Sequence, residues 1–139
     1  MIVLDTNVLS ESLKPSPSRL VLEWLGAQPA SNLFTTAITR AELLYGLALL
    51  PSGQRRRTLE SRIEQILDRG FAGRIPPFDA EAAQAYAEIY AARRMQGRPM
   101  PMMDAQIAAI ALAHGAALAT RNIADFAGCG LALINPWHA

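Results

Sequence analysis

The chain has 139 residues, 51% of them hydrophobic, and a net charge of +1, enough for one domain (1–139) with a real core and too apolar for disorder. No apolar run approaches the about 20 residues of a membrane span, and the first residues lack the charged segment and cleavage site of a secretory leader. Cys129 is the single cysteine, which excludes a disulfide framework and a thiolate metal cage, so a cytoplasmic protein with no membrane partner is expected.

In chain order, Ile2, Val3 and Leu4 read as a short buried strand. Ser16-Pro17 reads as a helix start, Ser as cap and Pro in the first turn, and the helix then buries Leu20, Val21, Trp24 and Leu25. Residues 33–35 read as a second strand. Residues 39–50 form a helix ended by Pro51-Ser52-Gly53. Leu59, Ile63, Ile66 and Leu67 recur at helical spacing, which predicts a helix over 54–69. Residues 73–77 are a connection or a brief strand. Asp79 caps a long helix with the stripe Ala82, Ala85, Tyr86, Ile89 and Ala92, broken at Gly97-Arg98-Pro99. A helix runs over 104–114 and stops at Gly115. Residues 117–119 and 131–133 complete the strands. Short apolar strands alternating with helices predict a parallel α/β sheet with helices on both faces.

Four carboxylates fall at the ends of these elements: Asp5, Glu42, Asp104 and Asp125. Each has an ordinary explanation. Asp5 can cap the next helix with Thr6 and Asn7. Thr39 and Glu42 fit a capping box. Asp104 in a first turn suits the helix dipole, and Asp125 can cap a short turn before Phe126. Together they point further. Ligands of parallel α/β sheets bind at the carboxyl ends of the strands, where Asp5 and the Thr120-Arg121-Asn122 turn lie. The helix starts carrying Glu42 and Asp104 lie on the same edge. Two carboxylates about 4 Å apart repel by roughly 4 kcal/mol at an effective dielectric near 20, so several in one cleft call for protonation or a cation. Mg²⁺ or Mn²⁺ suits oxygen ligands, and His114, His138 and Cys129 offer no zinc set. This constellation predicts a metal-dependent phosphodiesterase.

Competing α/β chemistries fit less well. A phosphoryl-aspartate phosphatase needs a second Asp where Asn7 stands, and a phospho-receiver needs a late lysine where none follows Lys14. No glycine-rich phosphate loop is present. A two-histidine ribonuclease is poor, because His114 ends a helix, where a cation is favourable anyway.

The chain resembles the PIN-domain ribonuclease toxins of the VapC group, and FitB-like members within it, over nearly its full length. The resemblance rests on Val3-Leu4-Asp5-Thr6-Asn7-Val8-Leu9-Ser10-Glu11, Ala37-Ile38-Thr39-Arg40-Ala41-Glu42-Leu43, Gly73-Arg74-Ile75-Pro76-Pro77-Phe78-Asp79, Ala119-Thr120-Arg121 and Asn135-Pro136-Trp137-His138. It implies a PIN domain, a three-layer α/β sandwich with a short, mostly parallel sheet flanked by helices, and a Mg²⁺- or Mn²⁺-dependent endoribonuclease. Asp5, Glu42 and Asp104 match the family's main acidic positions as catalytic residues and metal ligands. The fourth position falls at Asn122, a neutral oxygen donor at best, and Asp125 is the substitute within reach. Thr6 and Thr120 are expected to orient water or phosphate. The implied reaction is hydrolysis by a metal-activated water, leaving 5′-phosphate and 3′-hydroxyl ends.

The implied partners are an RNA substrate, a small antitoxin whose C-terminal segment covers the site, and a second copy of the chain, giving a homodimer and a toxin–antitoxin hetero-oligomer. Only Lys14 among the 13 basic residues is a lysine, and arginine suits phosphate, although a G- and C-rich genome gives the same bias. Arg55, Arg56, Arg57, Arg93, Arg94 and Arg98 are candidate phosphate contacts, or simply solvated helix surface. Met100, Met102 and Met103 either fill the core or pack against a base or an antitoxin. Two rivals stay open: a DNA-directed nuclease, and a weak or inactive PIN-like module that binds RNA or antitoxin without cutting, kept alive by Asn122.

Overall fold

A computed structural model describes residues 1–138. Its sheet has four parallel strands, β1 (Ile2–Leu4), β2 (Leu33–Phe34), β3 (Ala117–Ala119) and β4 (Leu133–Ile134), in the order β2-β1-β3-β4. Ile2 pairs with Leu33 and with Ala117, and Leu118 pairs with Leu133. Successive side chains point to opposite faces, so the apolar run of β1 feeds two cores. Val3, with Leu118 of β3, enters one, and Ile2 and Leu4 enter the other. Strands buried on both faces carry no polar alternation, which is why Ile-Val-Leu reads as a continuous run.

One face is covered by α5 (Ala80–Met95) and α6 (Met102–Ala113). Six residues of α6 are buried: Ala105, Ile107, Ala108, Ala109, Ile110 and Ala111. A helix apolar all round has no solvent face and sits between other layers, here between the sheet and α5. Asp79 caps α5, its Oδ1 accepting from the Ala82 amide at 3.0 Å. The other face is covered by α1 (Thr6–Ser12), α2 (Arg19–Ala27), α3 (Ala37–Ala48) and α4 (Gln54–Glu64). Val8, Val21, Leu43, Leu47 and Ile63 bury there. The sandwich of three layers is the one the sequence predicts. Among the described residues no helix is long and apolar enough to cross a membrane.

Several boundaries differ from expectation, each for a local reason. The second helix is capped by Ser18 rather than Ser16. The buried Glu11 takes the Ser18 amide at 2.9 Å and Lys14 Nζ at 2.9 Å, which holds residues 14–18 in a loop. In the helix Val21 is buried and Trp24 and Leu25 partly so, while Leu20, expected to be buried, is exposed. The third helix begins two residues early, with the Thr36 hydroxyl accepting the Thr39 amide at 3.1 Å. The capping box of Thr39 and Glu42 therefore does not form, and both side chains are used elsewhere. The helix over 54–69 is α-helical only to Glu64 and widens into a π turn over Gln65–Gly70. Residues 73–77 join no strand pair, but the Thr35 amide donates to Arg74 O and the Ala37 amide to Pro76 O. The last strand lies at Leu133–Ile134, not 131–133.

Candidate active site

Asp5 directly follows β1, and its amide donates to Ala119 O at 2.9 Å, at the end of β3. The chain leaves β1 for β2 on one side and returns to β3 on the other, so this pair is the sheet's switch point, where a crevice opens. The Asp5 carboxylate is buried. Its Oδ1 accepts from the Thr6 amide at 2.8 Å and its Oδ2 from the Thr120 hydroxyl at 2.8 Å. The helix-capping reading of Asp5 and the site reading are thus compatible: one oxygen caps α1, and the other is fixed by β3. Thr120 is fully buried and accepts from the Asn122 amide at 3.1 Å and Asn7 Nδ2 at 3.4 Å.

Glu42 lies in the second turn of α3. Its Oε1 accepts from the Thr6 hydroxyl at 2.8 Å. A hydroxyl carries one proton, so the 3.0 Å contact between the Thr6 and Thr39 hydroxyls must be donated by Thr39. Thr36 in turn donates to Thr39 at 3.4 Å. The result is a one-way chain of hydroxyls from Thr36 through Thr39 and Thr6 to Glu42. The Thr6 and Thr120 hydroxyls thus donate to Glu42 and Asp5, and both threonines orient carboxylates of the site. The signal available in the sequence was the cluster Thr35, Thr36 and Thr39 inside an apolar stretch. All three are fully buried.

Asp104 sits in the first turn of α6, which runs against the strands, so its N-terminus reaches the same sheet edge from the opposite face. Among the described residues its carboxylate has no hydrogen bond or ion pair. Burial, then the charges of Asp5 and Asp125, push its carboxyl up to about 6. Asp5 is also raised, chiefly by burial, against the lowering effect of its bonds to Thr120 and Thr6, and with help from the charges of Glu42 and Asp125. The charge of Asp125, exposed in the 3₁₀ turn Ile123–Phe126, therefore reaches both. Asn122 contributes its backbone amide to Thr120, and its side chain makes no hydrogen bond among the described residues. Of the two candidates for a fourth ligand, Asp125 is the one that acts electrostatically on the cleft.

Among the described residues no lysine or arginine pairs with any of these four acids. The ion pairs formed are Lys14–Glu11, Arg19–Glu23 and Arg40–Asp68. Nor do three His, Cys, Asp or Glu side chains stand close enough together to hold a metal ion as they are. The donor set nonetheless suits a hard cation by its chemistry, being oxygen only and uncompensated among the described residues, with Asp5 and Asp104 raised first by burial and then by neighbouring carboxylates.

Two neighbouring features frame the site. From Thr6 and Glu42 a groove of about 650 Å³ runs between α1, α3 and α4, floored by Leu43, Leu47 and Ile63, with Lys14, Arg55 and Arg62 at its margin. Beside Asp125, Arg93 corrects another expectation. It is not a surface phosphate contact but a buried clamp, donating to Arg98 O at 2.8 Å, Asp125 O at 2.8 Å and Ala127 O at 3.2 Å. Arg56 caps Leu50 O and Arg57 meets Gln54, while Arg55, Arg94 and Arg98 are exposed. Met100 is core, whereas Met102 and Met103 are exposed in the turn that carries Asp104.

Comparison with known proteins identifies the family and agrees with the fold. The PIN domain family model matches residues 2–127. The chain is 46% identical over 138 residues to the VapC ribonuclease Y4jK of Sinorhizobium fredii, covering 99% of each chain. It is 42% identical over 138 residues to the toxin FitB of Neisseria gonorrhoeae, again covering 99% of each. Superposed on the crystal structure of FitAcB from Neisseria gonorrhoeae, it gives a TM-score of 0.94 with 42% identity and full coverage of both chains.

Proposed function

The chain belongs to the PIN-domain family, in the branch of VapC- and FitB-type toxins, and on that premise we propose that it is a divalent-cation-dependent endoribonuclease, the toxin of a type II toxin–antitoxin pair, with Asp5, Glu42 and Asp104 as its working acids. The observation that carries this is the uncompensated acidic edge. Elements from both faces of the sheet bring carboxylates to the switch point, two of them are raised in pKa, and no described basic side chain neutralises them.

Asp5, Glu42 and Asp104 would hold Mg²⁺ or Mn²⁺, with Asp125 joining directly or through water. A cation bound there would polarise the scissile phosphate and make a water more acidic. The chain's own contribution is orientation. Thr120 and the Thr6 amide fix both oxygens of Asp5, and Thr6 fixes one oxygen of Glu42. Each carboxylate oxygen so held keeps a further lone-pair direction for a ligand. The antitoxin segment is assigned to the groove beside Glu42, whose leucines suit an apolar helix face and whose basic margin suits acidic residues. A homodimer is part of the same reading.

The test is cutting of total RNA by the partner-free chain in Mg²⁺ or Mn²⁺ and in EDTA, beside Asp5→Asn and Asp104→Asn. Discrete cation-dependent cuts with 5′-phosphate ends, reduced at least about 100-fold in both variants, are expected. Products ending in 2′,3′-cyclic phosphate would exclude the mechanism. One observation favours a second reading, a module that binds without cutting: the acids do not stand as a ready ligand set. No cutting by wild type or either variant would favour it, and equal cutting by all three would point to it or to a contaminant.

A further inference from the structure

Arg121 is the basic residue joined most directly to the acidic edge, and the roles assigned so far leave it unused. It follows Thr120, whose hydroxyl holds Asp5. Its backbone is pinned on both sides, with its amide donating to Asn7 Oδ1 at 3.3 Å and its carbonyl accepting from Asn135 Nδ2 at 3.3 Å. Its guanidinium lies over the ring of Trp137, 5.0 Å from the centroid. Trp137 is itself fixed, its amide donating to Asn135 Oδ1 at 2.9 Å and its ring packed against the core. A cation braced on an indole loses less freedom when it binds.

Among the described residues the guanidinium nonetheless makes no hydrogen bond and no ion pair, and the residue is exposed. Glu11 does not need it. That carboxyl is held below the usual range first by the Lys14 hydrogen bond, then by the Ser18 amide, with the charge of Arg121 the smallest of the causes that lower it. Of the other arginines near the groove and the Asp125 loop, Arg56 and Arg62 cap helix-end carbonyls and Arg93 is buried, while Arg55 and Arg98 are exposed but are not braced on a ring beside Thr120. Arg121 also stays beyond ion-pair distance of Asp5 and Asp104, so it does not neutralise the cleft. A planar donor set, braced beside an acidic cleft and unbonded among the described residues, matches a second anion on the ligand that enters that cleft.

We propose that Arg121, braced on Trp137, positions the substrate by binding a phosphodiester of single-stranded RNA that flanks the bond to be cut. This rests on the ribonuclease reading for its substrate class, and it concerns a positioning residue, not a catalytic one. The test uses an oligoribonucleotide spanning a mapped cut site, with wild type, Arg121→Ala and Arg121→Lys. Arg121→Ala raises KM about tenfold and leaves kcat within about twofold, and Arg121→Lys falls between, since lysine keeps the charge but not the planar fork. Binding of the same RNA is measured in an Asp104→Asn background, which holds RNA uncut. There, Arg121→Ala lowers the slope of log K against log salt by about 0.7, the value for one phosphate contact on a single strand.

Unchanged KM and salt slope overturn the proposal. So does a fall in kcat alone, which would mean a disturbed Asp5–Thr120 turn, and so does a loss confined to antitoxin binding. If wild type cuts no RNA, the ribonuclease reading fails, but the binding slope still decides for or against Arg121.

Discussion

Asp104 shows how a single residue reports on the site before any ligand arrives. Its carboxyl is raised from 3.8 to about 6, so folding penalises the ionised form. For a raised acid the sign is fixed: the penalty is absent below the unfolded value, grows as pH climbs from about 3.8 through 6, and is complete above that. Asp5 acts in the same direction. The rise corresponds to roughly 3 kcal/mol, but the group is partly exposed, and solvent screening reduces this to about 1 kcal/mol. In EDTA, Asp104→Asn should therefore be more stable than wild type by about 1 kcal/mol at pH 7.5 and equal to it at pH 4. Thermal melts at both values check this, and a gap that does not change with pH would refute it. Thr120→Val should cut the rate about 10-fold or more while leaving the fold intact, since it frees one oxygen of Asp5. RNA cleavage rates and melting curves read the two effects separately. The four acids were legible in the sequence because carboxylates at element ends are visible in a linear chain. Thr6 and Thr120 were named beside them, but not the carboxylates they hold, because Thr6 meets Glu42 and Thr120 meets Asp5 only across the folded sheet edge.

Among the elements, the errors cluster where a tertiary bond overrides a local preference. Ser16-Pro17 is a good helix start, yet Glu11, seven residues before Ser18, moves the cap. Thr39 and Glu42 are a good capping box, yet both are drawn into the contact with α1. Regular periodicity over 54–69 gave no warning of the π turn, whose extra residue per turn shifts only backbone bonding, as in Phe71 N to Ile66 O. The stripe of α5 was legible except at its end, where Arg93 follows an apolar register but buries a charge. Because that charge meets three carbonyls and no carboxylate, removing it leaves carbonyl oxygens unsatisfied. Arg93→Met should cost about 2–4 kcal/mol and loosen residues 122–129 in particular. Hydrogen exchange of that loop, faster in the variant than exchange in β1 or α6, is the expected result. Uniform change across the chain would show that Arg93 is merely core.

For the whole molecule, the architecture followed from alternation of apolar strands and helices, and the placement of the cleft from the sheet rule alone. The groove did not, since its walls come from α3 and α4 together with α1, which lies far from both in the sequence. Gly46 lines it, one turn beyond Glu42, and a Cβ there would have no heavy atom within 4 Å. Gly46→Leu should thus fold well, because it removes a helix glycine, and should obstruct the groove. The expectation is RNA cutting that resists suppression by the antitoxin, read as toxin activity at fixed antitoxin concentration. Loss of cutting itself would place the RNA, rather than the antitoxin, in the groove.

The hydroxyl chain ending on Glu42 bears on the order in which ligands arrive. Threonine dipoles solvate that carboxylate without cancelling its charge. A dipole's field fades faster with distance than a monopole's, so an approaching ion still meets the full negative charge of the edge. A counter-ion such as an arginine would have erased it. Under the ribonuclease reading, an RNA phosphate meets repulsion at the empty cleft and attraction once a cation is seated. On that reading entry would be sequential, cation first and nucleic acid second, with the gate made of electrostatics instead of a moving loop.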